Sequence, residues 1–173
     1  MHLIFLLGYM GSGKSTIGKA LAAAMHSNFV DLDHYIELQE KQSISAIFES
    51  QGEIYFRAQE RKALLELIAE NKPSVIALGG GTPCYYDNIN AITAKPNASF
   101  FLKASIPTLS KRLWKEKAQR PLLHQMQSIA ALEEYIGKHL FERNFYYQQA
   151  NKTILIDQKT EAEVVREIQH DLA

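Results

Sequence analysis

The chain has 173 residues, with 19 basic side chains against 19 acidic ones and a single cysteine, Cys84. That length suits one domain burying its own core, and a lone thiol excludes an internal disulfide and suits a reducing compartment. The cancelled charge argues against a protein that coats nucleic acid, and the apolar run near the N-terminus is too short for a signal peptide or a membrane span, so a cytoplasmic protein is expected, and it is taken as a monomer.

Residues 3–7 are continuously apolar and of strand length, as in a strand covered on both faces. Gly8-Tyr9-Met10-Gly11-Ser12-Gly13-Lys14-Ser15-Thr16 follows and fits the pattern G-x-x-x-x-G-K-[S/T]. Glycines in such a loop bring backbone N–H groups against phosphate oxygens. Lys14 supplies a point charge for the β- and γ-phosphates, and the Ser15 hydroxyl is suited to ligate Mg²⁺. Residues 17–25 are alanine-rich and read as a helix whose N-terminus adds its dipole. A strand before the loop and a helix after it favour a nucleoside triphosphate site over a chance glycine turn.

Residues 28–33 read as a strand ending in Asp31 and Asp33, where open α/β sheets bind ligands. Strand alternation predicts that both carboxylates point the same way, although Asp33 is also placed to cap a helix over residues 34–40. Residues 43–49 form a short amphipathic helix with Ile44, Ile47 and Phe48 on one face, and Gly52 follows as a stop or swivel. A longer helix is predicted from about residue 53 to 71, with an apolar stripe of Leu64, Leu65, Leu67 and Ile68. Glu53, Arg57 and Glu60 share one of its faces, a spacing that taken alone fits a solvated ion network as well as a site.

Residues 74–78 are the next buried strand and run straight into Gly79-Gly80-Gly81, either a flexible turn or backbone pressed against a ligand. A helix over 85–94, a strand over 98–102 and a helix starting near Pro107, with Leu109 and Leu113 inward, come next. The aperiodic residues 116–124 suit a lid carrying Arg120. A long helix over 128–150 bears Glu142, Arg143 and the aromatics Phe145, Tyr146 and Tyr147, which read as core. A strand over 153–156 and a capping box at Thr160 and Glu163 close the chain, with Val164, Val165 and Ile168 inward. Five strands alternating with helices imply an α/β three-layer sandwich around a five-stranded parallel sheet.

Three classes share such a phosphate loop. A GTPase needs an Asn-Lys-x-Asp reader, and neither Asn71-Lys72-Pro73-Ser74 nor Asn151-Lys152-Thr153-Ile154 supplies the aspartate. A motor or regulatory ATPase ends a strand in acidic residues, whereas Leu78 leads into glycines. A small-molecule kinase needs a metal carboxylate, a second-substrate pocket and a lid, and the chain offers a candidate for each.

In these pieces the chain resembles the shikimate kinases, within the P-loop group related to nucleoside monophosphate kinases. The resemblance rests on residues 8–16, Asp31 with Asp33, Gly52-Glu53 with Phe56-Arg57 and Glu60, the glycine triplet, Arg120-Pro121-Leu122-Leu123, and Arg143 with Tyr147. It implies a single kinase domain over 1–173, with substrate-binding helices at about 34–61 and a mobile lid at about 114–125. The implied reaction is in-line transfer of the ATP γ-phosphate to the 3-hydroxyl of shikimate, with Asp33, Lys14 and Arg120 as catalytic residues. The nucleotide would be held by Gly11, Ser12, Gly13, Lys14, Ser15, Thr16, Arg112 and Arg120, and Mg²⁺ by Ser15 and Asp31. Asp33, Arg57, Glu60, Gly80, Gly81 and Arg143 would hold shikimate, the arginines taking its carboxylate. A gluconate kinase would share the loop and a lid arginine but not Asp33, Arg57 and Arg143 together. An idle nucleotide-binding regulator is disfavoured by the retention of Lys14 and Asp33.

Overall fold

Five short strands hold the molecule together: β1 (Ile4–Leu7), β2 (Asn28–Asp31), β3 (Ser74–Ala77), β4 (Ala98–Lys103) and β5 (Lys152–Leu155). They are taken from a computed structural model that describes residues 3–119 and 123–173. All pair in parallel, in the order β2-β3-β1-β4-β5, with Phe5 in register with Ile76 on one side and Ser99 on the other. The chain leaves β1 for β2 and β3 on one side and then crosses to β4 and β5 on the other. The carboxyl end of β1 therefore opens between connections running in opposite directions, where such sheets take ligands.

Alternation along β1 divides the interior in two. Ile4 and Leu6 face α1 (Lys14–Ala24) and α7 (Glu161–Leu172), packing with Ile17, Leu21, Val164, Val165 and Ile168. Phe5 and Leu7 face the opposite way. There they join side chains of α2 (Leu32–Glu40), α3 (Ile44–Glu70), α5 (Ile106–Lys115) and α6 (Ile129–Tyr147), among them Ile36, Leu64, Leu113 and Ile136. The short α4 (Asn88–Thr93) completes that layer. Burial on both faces explains why β1 and β3 read as unbroken apolar runs.

Side chains written into the sequence fix the helix starts. Ser43, Ser105 and Ser128 accept from the backbone N–H three residues on, and Thr160 with Glu163 forms the predicted reciprocal capping box. Gly52 is the predicted swivel. Its φ of 82° and ψ of 174° interrupt α3, which is two helical arms meeting at that residue.

Four expectations are corrected. The strand expected over 28–33 stops at Asp31, because Leu32 is drawn into the core and starts α2. Asp31, not Asp33, caps that helix, accepting from His34 N at 3.5 Å. The helix expected over 85–94 is only residues 88–93, with a 3-10 turn over Thr82–Cys84 before it. Leu65 is 40% exposed and Phe145 71% exposed, so neither is core; Leu64, Leu67 and Tyr147 are. Part of the proposed lid, including Arg120, lies outside the described residues.

Candidate active site

A cleft of about 520 Å³ lies beyond the carboxyl ends of the strands. Of the sequence-predicted residues, Gly11, Ser12, Gly13, Lys14, Ser15, Thr16, Asp31, Asp33, Gly80 and Arg112 all line it. Lys14 comes from the first turn of α1, and its Nζ donates to the backbone oxygens of Gly8 at 2.8 Å and Tyr9 at 3.1 Å. The ammonium is thus folded into the loop that a phosphate would enter. Arg112, on α5, donates from Nη1 to Gly11 O at 3.2 Å, which places a guanidinium beside the loop's outer turn.

Ser15 Oγ donates to Asp31 Oδ2 at 2.6 Å. A hydroxyl and a carboxylate converging at a helix N-terminus are hard oxygen donors, the kind Mg²⁺ prefers when phosphates and water complete its shell. Among the described residues no group of three or more acidic, histidine or cysteine side chains forms a self-sufficient metal cage.

Asp33 reaches the same cleft from the first turn of α2 rather than from a strand. The shared direction expected from strand alternation is therefore produced by a helical turn. Burial pushes its carboxyl up to about 6, with Glu60 and Asp31 adding to the rise and Lys14 and Arg57 opposing it. Such a group is ionised near neutral pH yet still basic enough to take a proton.

Beyond Asp33 the glycine run brings a second group of side chains close. A Cβ on Gly79 would stand 2.9 Å from Asp33 Oδ1, Glu60 Oε1 and Thr82 Oγ1 alike. A Cβ on Gly81 would stand 2.8 Å from both Nη1 and Nη2 of Arg57, and one on Gly80 would meet Arg143 Nη1 at 3.5 Å. The triplet is therefore not a slack turn: two arginines and two carboxylates close on its backbone. Arg57 Nη1 donates to Glu60 Oε2 at 2.9 Å, and Glu60, 1% exposed, also accepts from Thr82 Oγ1 at 2.5 Å. Of the triplet on the helix face, Glu60 is thus buried and Glu53 stays at the rim. Arg143 approaches from α6, its Cζ 5.6 Å from the Tyr9 ring.

Some contributors, Thr82, Tyr85 and His139, were not singled out from the sequence, whereas Gly79 and Tyr147 appear there within the glycine triplet and beside Arg143. Thr82 comes directly after the glycine run, and asking what that run leaves room for is the signal that finds it. Tyr9 sits inside the loop and shares a 2.8 Å hydrogen bond with His139 Nδ1, and the Tyr147 hydroxyl donates to Gly80 O. Tyr85 lies against Arg57, its ring centroid 4.0 Å from Cζ. Partners 28 and more residues away leave no trace in local spacing. Both arginines pull on the Cys84 thiol electrostatically, but burial pushes it up to about 11 against them, so it stays protonated at neutral pH.

The family model for shikimate kinase matches residues 10–173. A shikimate kinase of Flavobacterium johnsoniae is 45% identical over 173 residues, which is 100% of both chains. The crystal structure of a shikimate kinase from Bacteroides thetaiotaomicron superposes with a TM-score of 0.90 at 36% identity, covering 99% of this chain and 98% of that one. A shikimate kinase from Acinetobacter baumannii, solved in complex with shikimate, gives a TM-score of 0.87 at 30% identity over 99% of this chain and 93% of that one.

Proposed function

The chain belongs to the shikimate kinase family, and from that premise we infer how its own residues transfer the γ-phosphate of ATP to the 3-hydroxyl of shikimate. The observation that carries the reading is the meeting of two chemistries around one glycine run. A phosphate loop with Lys14 lies on one side, and Asp33, Arg57 and Arg143 lie on the other. An acceptor with a carboxylate at one end and hydroxyls at the other needs cations and a hydrogen-bond acceptor arranged in this way.

Gly11, Ser12, Gly13 and Thr16 cradle the phosphates with backbone N–H groups, and Lys14 exchanges its loop carbonyls for phosphate oxygens. Arg112 covers the base end of the nucleotide. Arg57 and Arg143, with the backbone of Gly80 and Gly81, grip the acceptor carboxylate, and Glu60 fixes the direction of Arg57. Asp33 accepts a hydrogen bond from the 3-hydroxyl and aims it. As the hydroxyl oxygen bonds to the γ-phosphorus, its proton passes to the Asp33 carboxylate. The bond from phosphorus to the β,γ-bridging oxygen breaks, and ADP leaves with that electron pair. Ser15 and Asp31 are the residues that would hold Mg²⁺, which supplies charge neutralisation on the phosphate oxygens when bound. Arg120, in a lid of about 114–125, is assigned on the sequence resemblance alone as the cation over the transferring phosphate. The helices of about 34–61 form the acceptor side of a single domain.

No helix among the described residues is long and apolar enough to cross a membrane. The neutral charge balance supports an enzyme that handles small molecules rather than nucleic acid. ADP release from Mg-ATP, coupled to a spectroscopic readout, tests the reading with shikimate, gluconate, AMP or no acceptor. Turnover with shikimate alone is expected. Turnover with gluconate would keep the phosphate loop and discard the Arg57 and Arg143 clamp, and nucleotide binding without turnover would favour the idle regulator.

A further inference from the structure

Arg57 offers two edges, and the protein treats them differently. Its Nη1 is committed to Glu60, which is buried and held in turn by Thr82. The other edge, Nε with Nη2, reaches Glu53 Oε1 at 3.4 Å from each nitrogen. Contacts of that length are weak hydrogen bonds, and the Glu53 side chain is about half exposed, at 53%. Yet Nε and Nη2 form an edge that a carboxylate can grip with two parallel bonds. A bidentate grip depends on the plane of the guanidinium, and two contacts as long as those to Glu53 restrain that plane weakly.

Tyr85 supplies that restraint. Its ring centroid is 4.0 Å from Arg57 Cζ, nearer than the 5.2 Å of Phe56. Its hydroxyl donates to Glu53 Oε1 at 2.8 Å, well inside the 3.4 Å at which the same oxygen meets Arg57. Tyr85 also stands four residues after Gly81, whose missing Cβ lets the guanidinium press against the backbone. One side chain therefore lies on the face of the arginine and tethers the carboxylate beside its loosely held edge.

We propose that Tyr85 is a positioning residue for the acceptor carboxylate. It fixes the plane of Arg57 and anchors Glu53 at the Nε–Nη2 edge, so that this edge is aimed for its two long contacts to be exchanged for the incoming carboxylate. The proposal rests on the reading that Arg57 receives the carboxylate.

Four variants test it: Tyr85→Ala, Tyr85→Phe, Arg57→Ala and the Tyr85→Ala/Arg57→Ala pair. Shikimate affinity is read by calorimetry, kinetic constants for both substrates by ADP release, and stability by ligand-free thermal unfolding. Tyr85→Ala should weaken shikimate binding and raise its KM roughly five- to twenty-fold, the range expected for losing a partly desolvated cation–π contact. The KM for ATP should stay within about two-fold and kcat should change less than the shikimate KM. Tyr85→Phe keeps the ring and loses the tether, so its effect should be smaller, roughly two- to three-fold. In the double variant Tyr85→Ala should add nothing to Arg57→Ala, because its effect runs through that arginine.

An unchanged shikimate affinity in Tyr85→Ala beside a weakened Arg57→Ala would overturn the proposal, as would additive losses in the pair. A parallel rise in both KM values with a lower melting temperature would also overturn it, reducing Tyr85 to packing. Should Tyr85→Ala fail to fold, Tyr85→Leu fills the volume without a π-face and carries the same expectation and the same refutation. An Arg57→Ala protein that binds shikimate normally would instead overturn the clamp, a result distinct from any obtained at Tyr85.

Discussion

Asp33 combines a largely buried carboxyl with two acidic neighbours, Glu60 and Asp31, and the folded protein holds its proton to a higher pH than the unfolded chain does. The folded value is about 6 against 3.8 when unperturbed. Below about pH 4 the group is protonated in both states and contributes no pH-dependent term. Between about pH 4 and 6 the unfolded chain releases its proton first, so stability falls as pH rises. Above the folded value the full cost of the charged group is present, on the order of 1–3 kcal/mol. Asp33→Asn removes that cost together with the proposed base. Without ligands it should melt several degrees above the wild type near neutral pH, and the gap should close as the pH is lowered toward about 4. Its turnover should fall by roughly 100-fold or more. Calorimetric melting of both proteins across a pH series checks the first expectation, and melting curves that shift in parallel would remove the raised pKa from Asp33.

At the scale of elements, α3 decides where the acceptor-side charges sit. Its second arm carries Glu53, Arg57 and Glu60, and the direction of that arm is set at Gly52. The φ and ψ there lie in a region open essentially to glycine, while a Cβ would meet nothing within 4 Å. Gly52→Ala is therefore a backbone test uncontaminated by clashes. It should cost about 1–3 kcal/mol of stability and raise the shikimate KM more than the ATP KM. An alanine variant of wild-type stability would mean that the chain passes the bend in another conformation. The swivel was legible because glycine between two periodic stretches has few other uses. The β2–α2 boundary was not. Asp31, Leu32 and Asp33 fit an alternating strand as well as a helix start, and only the demand of the core for Leu32 decides between them. Tyr85 was hidden for a similar reason: its hydrogen bond to Glu53 spans 32 residues, and no local pattern encodes it.

Across the whole molecule, nineteen positive and nineteen negative side chains leave no net charge to draw in an anionic nucleotide. Anion binding must come from cations gathered locally, and the fold gathers Lys14, Arg57, Arg112 and Arg143 from four helices, α1, α3, α5 and α6. That convergence was legible at the phosphate loop, where four fixed positions carry the pattern. For Arg143 it came only through family resemblance, because α6 shows nothing unusual in its period. The arrangement also separates two tasks that activity alone would confuse. On the proposed assignment Lys14 serves the nucleotide and Asp33 the reacting hydroxyl, so their substitutions should part company in ligand-linked stability. A ligand at 100 times its Kd stabilises by about 2.7 kcal/mol, which for a chain of this size raises the melting temperature by roughly 5–10 °C. Mg-ATP should give the wild type a shift of that order and should give Asp33→Asn nearly the same shift, although its turnover is lost. Lys14→Ala should lose most of the shift, and its own ligand-free melting is the baseline for that comparison, since the side chain gives up hydrogen bonds to the Gly8 and Tyr9 carbonyls and its attraction for the Asp33 carboxylate. Thermal scans of the three proteins with and without Mg-ATP decide the matter. A full shift in Lys14→Ala would move the triphosphate away from the loop, and a missing shift in Asp33→Asn would make Asp33 part of the nucleotide site rather than of the transfer.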